Sequence, residues 1–269
     1  MKNKIRIIWF ILKYGYEKFF YKNFKMYAPS VAGSQKIKGK ITIENINFLF
    51  PIISLLISKL FYKKRIFDSR SFCKKRAGLN NANKLKKLFS FYGSDKSKYH
   101  NYHYIYSSIF KNPLKVRKIL EIGIGTNNTS VLSNMGEAGK PGASLKAYRD
   151  FFKKSKIYGA DIDTQILFKE DRIDTYHVDQ TKEKSLKRLF KLLGNNFDLI
   201  IDDGLHSHTA NLKVVINSIQ FLKKGGCLVI EDIGLGSKPI WETISFIMNF
   251  KYKSHLIKAK NSYVFLIFR

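Results

Sequence analysis

Lys118-Ile119-Leu120-Glu121-Ile122-Gly123-Ile124-Gly125 decides the fold of this chain. A short apolar run leads into a glycine turn. The run predicts a buried parallel strand over 118–123, and the glycines let a ligand approach the backbone where a Cβ would stand in the way. The pattern continues as Gly123-x-Gly125-x-x-Asn128, so the third small residue of a dinucleotide fingerprint is missing. That disfavours a pyrophosphate held on a helix N-terminus and opposes a nicotinamide-dependent oxidoreductase. Four later apolar runs predict strands over 157–160, 173–178, 197–201 and 227–230. Each ends in acids: Asp161 with Asp163, Asp179 beside Gln180, Asp202 with Asp203, and Glu231 with Asp232. Helices are predicted over 145–152, 181–193 and 239–249, and a closing hairpin over 252–257 and 263–268. Apolar strands alternating with helices predict an α/β sheet covered on both faces.

Strand-end acids at one sheet edge describe a site. In an open parallel sheet, a carboxylate after the second strand is where a nucleotide ribose is hydrogen-bonded, which points to Asp161. The spacing from Glu121 to Asp161 exceeds the usual 20 or so residues. A Gly-, Pro- and Asn-rich stretch over 126–150 accounts for the excess and predicts an ordered loop above the sheet. Asp179 is placed to read an adenine edge or to cap the following helix. Asp203, Glu231 and Asp232 end two strands expected to be neighbours, and adjacent carboxylates stay ionised only near a cation. An all-oxygen set suits Mg²⁺, Mn²⁺ or Ca²⁺ better than zinc. His206, three residues after Asp203, is placed to take a proton from a hydroxyl there, with His208 the next candidate.

Asp202-Asp203-Gly204-Leu205-His206, followed by Glu231-Asp232, resembles the macrolide-sugar O-methyltransferases of the macrocin and mycinamicin type. Gly93-Ser94-Asp95-Lys96, with His100 and Tyr104, resembles that family's opening motif near the cofactor. The stretch from Gly139 to Asp150, with Ile157–Asp163, is similar to a bacterial subgroup associated with surface-polysaccharide biosynthesis. The resemblance covers about residues 88–235. It implies a Rossmann-like class I methyltransferase fold, with a mostly parallel seven-stranded sheet whose last strand is antiparallel. It also implies S-adenosyl-L-methionine (SAM) as methyl donor, Mg²⁺ or another divalent cation, and a sugar hydroxyl as acceptor, in a glycan or nucleotide sugar. From their place at the ends of the first four strands, Glu121, Gly123, Gly125, Asp161, Asp163, Asp179, Gln180 and Asp202 are expected at the cofactor. Carried over residue by residue, Asp203, Glu231 and Asp232 would hold the metal, and His206 would be the base. Leu205 departs from the pattern, where the family usually carries Ser.

The 269 residues carry a net charge of +29. Residues 1–90 hold 21 Lys/Arg against 3 Asp/Glu, so the excess is concentrated there. Such a field suits anionic lipid, a phosphorylated substrate or nucleic acid. RNA methylation is the rival reading of the same chemistry. No aromatic-basic RNA-binding module is visible, a chelating acidic edge suits a diol better, and no nucleic-acid partner is expected. Residues 1–87 read as a basic, apolar, helical extension and linker, and 88–269 as the methyltransferase domain. In the extension, Ile5, Ile7, Ile8, Trp9, Phe10, Ile11, Leu12, Tyr14, Phe19 and Phe20 interleave with Lys and Arg, and 28–40 reads as a loop. The apolar segment 48–58 contains Pro51 and is followed by Lys59, Lys63, Lys64 and Arg65. It is shorter than the ~20 residues a bilayer span needs. An in-plane membrane helix fits it, as does a helical face packed on the catalytic domain or on a second subunit. No secretory signal is apparent. Cys73 and Cys227 do not suggest a disulfide framework. The expected location is cytoplasmic, with peripheral attachment to the inner membrane as one option.

Overall fold

The computed structural model describes residues 7–9, 11–13, 15–30, 34–61, 66–76 and 78–269. Of the extension residues singled out above, Ile5, Phe10, Tyr14, Lys63, Lys64 and Arg65 lie outside them. The chain divides into two compact units, Met1–Lys63 and Lys64–Arg269.

The second unit is built on a nine-stranded sheet. Its strands are β1 (Phe67–Asp68), β2 (Lys118–Ile122), β3 (Lys156–Asp161), β4 (Lys169–Glu170), β5 (Ile173–His177), β6 (Phe197–Asp202), β7 (Leu222–Ile233), β8 (Lys253–Lys258) and β9 (Tyr263–Phe268). Their spatial order is β1-β8-β9-β7-β6-β2-β3-β5-β4. Without the two-residue edge strands β1 and β4, this is the expected seven-stranded sheet. β9 is antiparallel to both β7 and β8. From β2 the chain moves outward to β3 and β5, then returns to lay β6 on the other side of β2. The strand order therefore reverses beside β2, and the carboxyl ends of β2 and its neighbours enclose a crevice.

The apolar runs are continuous because both faces are covered. Ile119, Leu199, Cys227 and Val229 enter one core, while Leu120, Ile200, Leu228 and Ile230 enter the other. Cys73 and Cys227 are both free and buried. α1 (Tyr16–Asn23) and α2 (Gln35–Leu60) belong to the first unit, and the helices of this second unit are α3 (Ser69–Lys75), α4 (Leu79–Tyr92), α5 (Tyr102–Ile109), α6 (Ala143–Phe151), α7 (Glu183–Leu193), α8 (His208–Ser218) and α9 (Lys238–Met248).

The unit begins earlier than the expected boundary at residue 88. Phe72 of α3 and Leu85 and Phe89 of α4 are buried in the same core as Tyr148 and Leu199. Polar, lysine-rich spacing made 63–87 look like a linker, because only one stripe of each short helix is apolar. A second difference concerns the strand expected over 227–230: the 12-residue β7 starts at Leu222 and takes in Lys224-Gly225-Gly226 at a register shift against β6.

The stretch between β2 and α6 is an ordered loop, as expected. The side-chain amide of Asn127 donates to the carbonyls of Gly136 and Gly139, at 2.5 and 3.0 Å. Gly142 N–H closes the loop on the Ile124 carbonyl at 2.8 Å.

In the first unit, α1 (Tyr16–Asn23) is followed by α2 (Gln35–Leu60), a helix of 26 residues. The Ser34 hydroxyl caps α2 by accepting from Ile37 N–H at 3.2 Å, so the loop expected over 28–40 ends at Ser34. α1 crosses α2 at Gly39, where any Cβ would strike the backbone of Glu17. Asn45 ties α2 to the Tyr27 carbonyl at 2.8 Å. The helix runs on through Glu44, Asn45 and Asn47, the polar residues that bound the apolar segment in the sequence. By length and composition alone, α2 is long and apolar enough to cross a membrane, so the brevity of 48–58 was no bar to a span.

Candidate active site

The crevice beside β2 has a volume of about 460 Å³ and is lined by Gly123, Gly125, Asp161, Asp163, Asp179 and Gln180, among others. Gly123 and Gly125 have φ of +85° and +82°. A Cβ on Gly123 would meet the Asp203 carbonyl and Gly204, so β2 and β6 can close the floor of the crevice only around a glycine. Asp161 shapes the same turn. Its carboxylate accepts from Ile124 N–H at 2.8 Å and Asp163 N–H at 3.0 Å. Each oxygen keeps a lone pair for a diol. Asp163 in turn accepts from the Thr126 hydroxyl at 2.5 Å. Gln180 accepts from Leu205 N–H at 2.7 Å and donates to Asp202 at 3.1 Å. Backbone bonds thus hold position 205, and the Ser133 hydroxyl adds one to its carbonyl at 3.1 Å. Asp179 forms a turn with Thr181 and pairs with Lys182 at 2.8 Å, so it caps that turn, whereas α7 itself starts at Glu183.

Glu121 and Asp202, expected at the cofactor, lie beneath the crevice floor, and both are fully buried. Asp202 accepts from the Asn211 amide at 2.8 Å, and burial raises its pKa despite that bond. Glu121 accepts from the Ser144 hydroxyl at 2.6 Å. Burial pushes its carboxyl up to about 7, against the pull of Lys96. Strand-end position marked these two acids as ligand groups, but Glu121 is taken by Ser144 and Lys96 on one face of the sheet and Asp202 by Asn211 on the other.

Next to the crevice lies a second cavity of about 690 Å³, lined by Asp95, Lys96, His100, Asp203, His206, Glu231 and Asp232, among others. Asp203 borders both spaces. Lys96, only 3% exposed, reaches Asp203 at 2.6 Å and Glu121 at 3.2 Å, and also pairs with Glu231. Burial disfavours its ammonium, yet the carboxylates of Asp203, Glu231 and Glu121 hold its pKa well above the ordinary lysine range. The Tyr106 hydroxyl donates to the other oxygen of Glu231. Burial and the nearby Asp203 raise the pKa of Glu231. One ammonium faces three carboxyl groups, and the raised pKa values of Glu121 and Glu231 let protonation meet the surplus.

Asp232 belongs to a separate network. It accepts from the Tyr102 hydroxyl at 2.6 Å and lies 3.1 Å from His100 Nδ1, whose Nε2 is 3.4 Å from Asp95. Burial opposes ionisation of Asp232, but His100 and Tyr102 hold its carboxyl below the usual range. Burial lowers the His100 pKa and the two acids raise it, to about 9 on balance.

Potential ligand atoms of Asp203, His206 and Asp232 lie within 4.8 Å of one another. His206 Nδ1 is buried without a hydrogen-bond partner. His206 and Asp232 also have φ of +55° and +48°, a left-handed conformation costly for residues with side chains. A divalent cation fits between Asp203 and Asp232, whose carboxylate oxygens converge, with the unpaired His206 nitrogen facing the same space and free to take a proton. Of the three acids expected to hold the metal, Asp203 and Asp232 meet in this group. Glu231 instead points at Lys96 and Tyr106. His208, the alternative base, lies 3.1 Å from the Ser237 hydroxyl and stands outside the cluster.

Sequence reasoning missed the roles of Lys96 and Tyr106. The 93–100 motif was visible but was assigned to the cofactor, whereas the structure sets it on the acidic cavity. Tyr104 lines neither space. Only tertiary packing brings Lys96 and Glu231, 135 residues apart, into contact.

Loss of the Asp161 carboxylate removes two hydrogen bonds from the glycine turn and the acceptor for a ribose. Asp161→Ala is therefore expected to weaken SAM binding by about tenfold or more in calorimetry. Tight binding of NADH with none of SAM would contradict the cofactor assignment.

No family model matches the chain. Over 153 residues it is 29% identical to 8-demethyl-8-alpha-L-rhamnosyl tetracenomycin-C 2'-O-methyltransferase of Streptomyces olivaceus, covering 56% of this chain and 38% of that one. It is 34% identical over 116 residues to mycinamicin VI 2''-O-methyltransferase of Micromonospora griseorubida, covering 43% of this chain and 27% of the relative. Demethylmacrocin O-methyltransferase of Streptomyces fradiae is likewise 34% identical, over 117 residues, with the same two coverages. The chain thus matches well under half the length of these relatives. Among solved structures, the MycE methyltransferase of the mycinamycin pathway, in complex with Mg, SAH and mycinamycin VI, superposes with a TM-score of 0.56 at 24% identity. That alignment covers 68% of this chain and 53% of MycE. The strand order, the crevice at its reversal and these likenesses agree: the chain has the class I SAM-dependent methyltransferase fold and is similar to the macrocin- and mycinamicin-type sugar O-methyltransferases.

Proposed function

We propose that this protein transfers a methyl group from SAM to a sugar hydroxyl, in a bacterial glycan or a nucleotide sugar, with help from a divalent cation. The observation that carries the reading is the convergence of Asp203, His206 and Asp232 where the second cavity meets the crevice. When bound, SAM supplies an electrophilic methyl group and the cation lowers the pKa of a coordinated hydroxyl. Gly123, Gly125, Asp161, Asp163, Asp179 and Gln180 seat the donor. Asp203 and Asp232 hold the cation, and His206 takes the proton from the acceptor hydroxyl. His100 and Tyr102 fix the orientation of Asp232, and Lys96 fixes that of Asp203. Such positioning contributes to rate because the reacting groups meet already aligned. An acceptor with vicinal hydroxyls suits a polar, partly acidic cavity. The similarity to enzymes named for methylating rhamnosyl and macrolide sugars supports this acceptor class.

The test is incubation of the full chain with SAM, Mg²⁺ and a panel of nucleotide sugars and bacterial glycans, followed by mass spectrometry. A mass gain of one methyl on a sugar hydroxyl, lost in EDTA, is the expected result. Methylation of RNA and of no sugar would replace this reading with its rival.

A further inference from the structure

We propose that the first unit docks on an anionic lipid bilayer through the C-terminal half of α2, lying in the plane of the interface. Within α2, Phe48, Ile52, Leu55, Leu56 and Leu60 are 57, 61, 55, 53 and 66% exposed. Their spacing of 4, 3, 1 and 4 residues puts them on one side of a helix, with Pro51 among them. A soluble monomer rarely leaves so continuous an apolar stripe in water. In the same unit Trp9, Leu12 and Met26 are 55, 81 and 86% exposed.

The charge surrounding the stripe selects the partner. Residues 1–63 carry 12 Lys/Arg against 2 Asp/Glu. Lys36, Lys38 and Lys40 stand at one end of α2, and Lys59 lies at the other end beside the stripe. A second copy would bring the same cations against one another. An anionic headgroup layer complements them and accepts the apolar side chains below. Between Glu44 and Lys59 the helix is uncharged over 14 residues, 45–58. α2 as a whole is long enough to cross, but this uncharged part is roughly 21 Å at 1.5 Å per residue against roughly 30 Å of hydrocarbon, so a span would draw Glu44 or Lys59 into the core, which favours lying in the interface. Docking goes beyond the proposed chemistry and does not depend on it.

The experiment is flotation of the full chain with phosphatidylcholine vesicles, with and without phosphatidylglycerol. Binding is expected only with phosphatidylglycerol, and is expected to weaken strongly as NaCl rises from 0.1 to 0.5 M, values set by the screening length. Ile52→Glu and Leu56→Glu are each expected to weaken binding by about tenfold or more, the worth of burying one such side chain. Both should leave SAM binding and circular dichroism unchanged. Binding that resists both salt and alkaline carbonate would mean a span and overturn the in-plane pose. No vesicle binding by wild type, whether it runs as a monomer or as a dimer that Leu56→Glu disrupts, would overturn the proposal.

Discussion

The Asp232→Asn variant is expected to lose methyl transfer almost completely while binding SAM as wild type does. Asp232 lines the acidic cavity but not the cofactor crevice, so its loss should leave the donor in place. Asn keeps the shape and one acceptor oxygen, but removes the charge that a divalent cation needs. His206→Ala should keep both SAM and metal affinity and lose on the order of 10²–10⁴ in rate, the usual worth of a general base. Raising the pH should recover part of that loss, because the acceptor hydroxyl then ionises unaided. Calorimetry with SAM, beside methyl transfer with Mg²⁺ or EDTA, checks all three statements. Undiminished turnover in EDTA would remove the cation from the chemistry. Undiminished turnover by His206→Ala would move the base to another residue.

Lys96→Met is expected to destabilise the fold by about 3–5 kcal/mol near pH 8, the usual cost of stripping a buried ion pair of one partner. Lys96 is the only cation that contacts Glu121 and Glu231 among the described residues, and both acids are completely buried. Without the ammonium, each acid is driven further toward protonation, so its folded-state pKa lies above its unfolded one. A group shifted in that direction retains its stability at pH below the unfolded value and loses it as pH rises. Thermal melts should therefore show the variant closest to wild type near pH 5 and furthest below it near pH 8. Mg²⁺ should raise the melting temperature of the variant more than that of wild type, since a cation entering the acidic cavity replaces part of the missing charge. A variant as stable as wild type at pH 8 would show that Lys96 does not neutralise the cluster.

The seven longer strands, their order of appearance and the acids at their ends followed from the sequence, and the two-residue edge strands β1 and β4 did not. Parallel strands covered on both faces need mostly apolar runs, and 118–123, 157–160 and 197–201 declare themselves in that way, whereas 173–178, with Asp174, Thr175 and His177, is half-buried towards the sheet edge. The glycine turn at Gly123 and Gly125 was equally plain, because few residues tolerate φ near +85°. Which of the acids face a ligand was decided by tertiary structure. Glu121 and Asp202 stand beside Gly123 and Asp203, yet Glu121 turns to Ser144 and Lys96 on one face of the sheet and Asp202 to Asn211 on the other, so packing on each face buries them below the crevice. Glu231 and Asp232 are adjacent in sequence and belong to different networks, since Lys96 and Tyr106 take one while His100 and Tyr102 take the other. Those partners arrive on α5 and the segment just before it, more than 120 residues earlier in the chain. Local patterns of charge and hydropathy reveal the period of an element. Contacts between distant segments depend on how whole elements pack, and that information is not held in any single stretch.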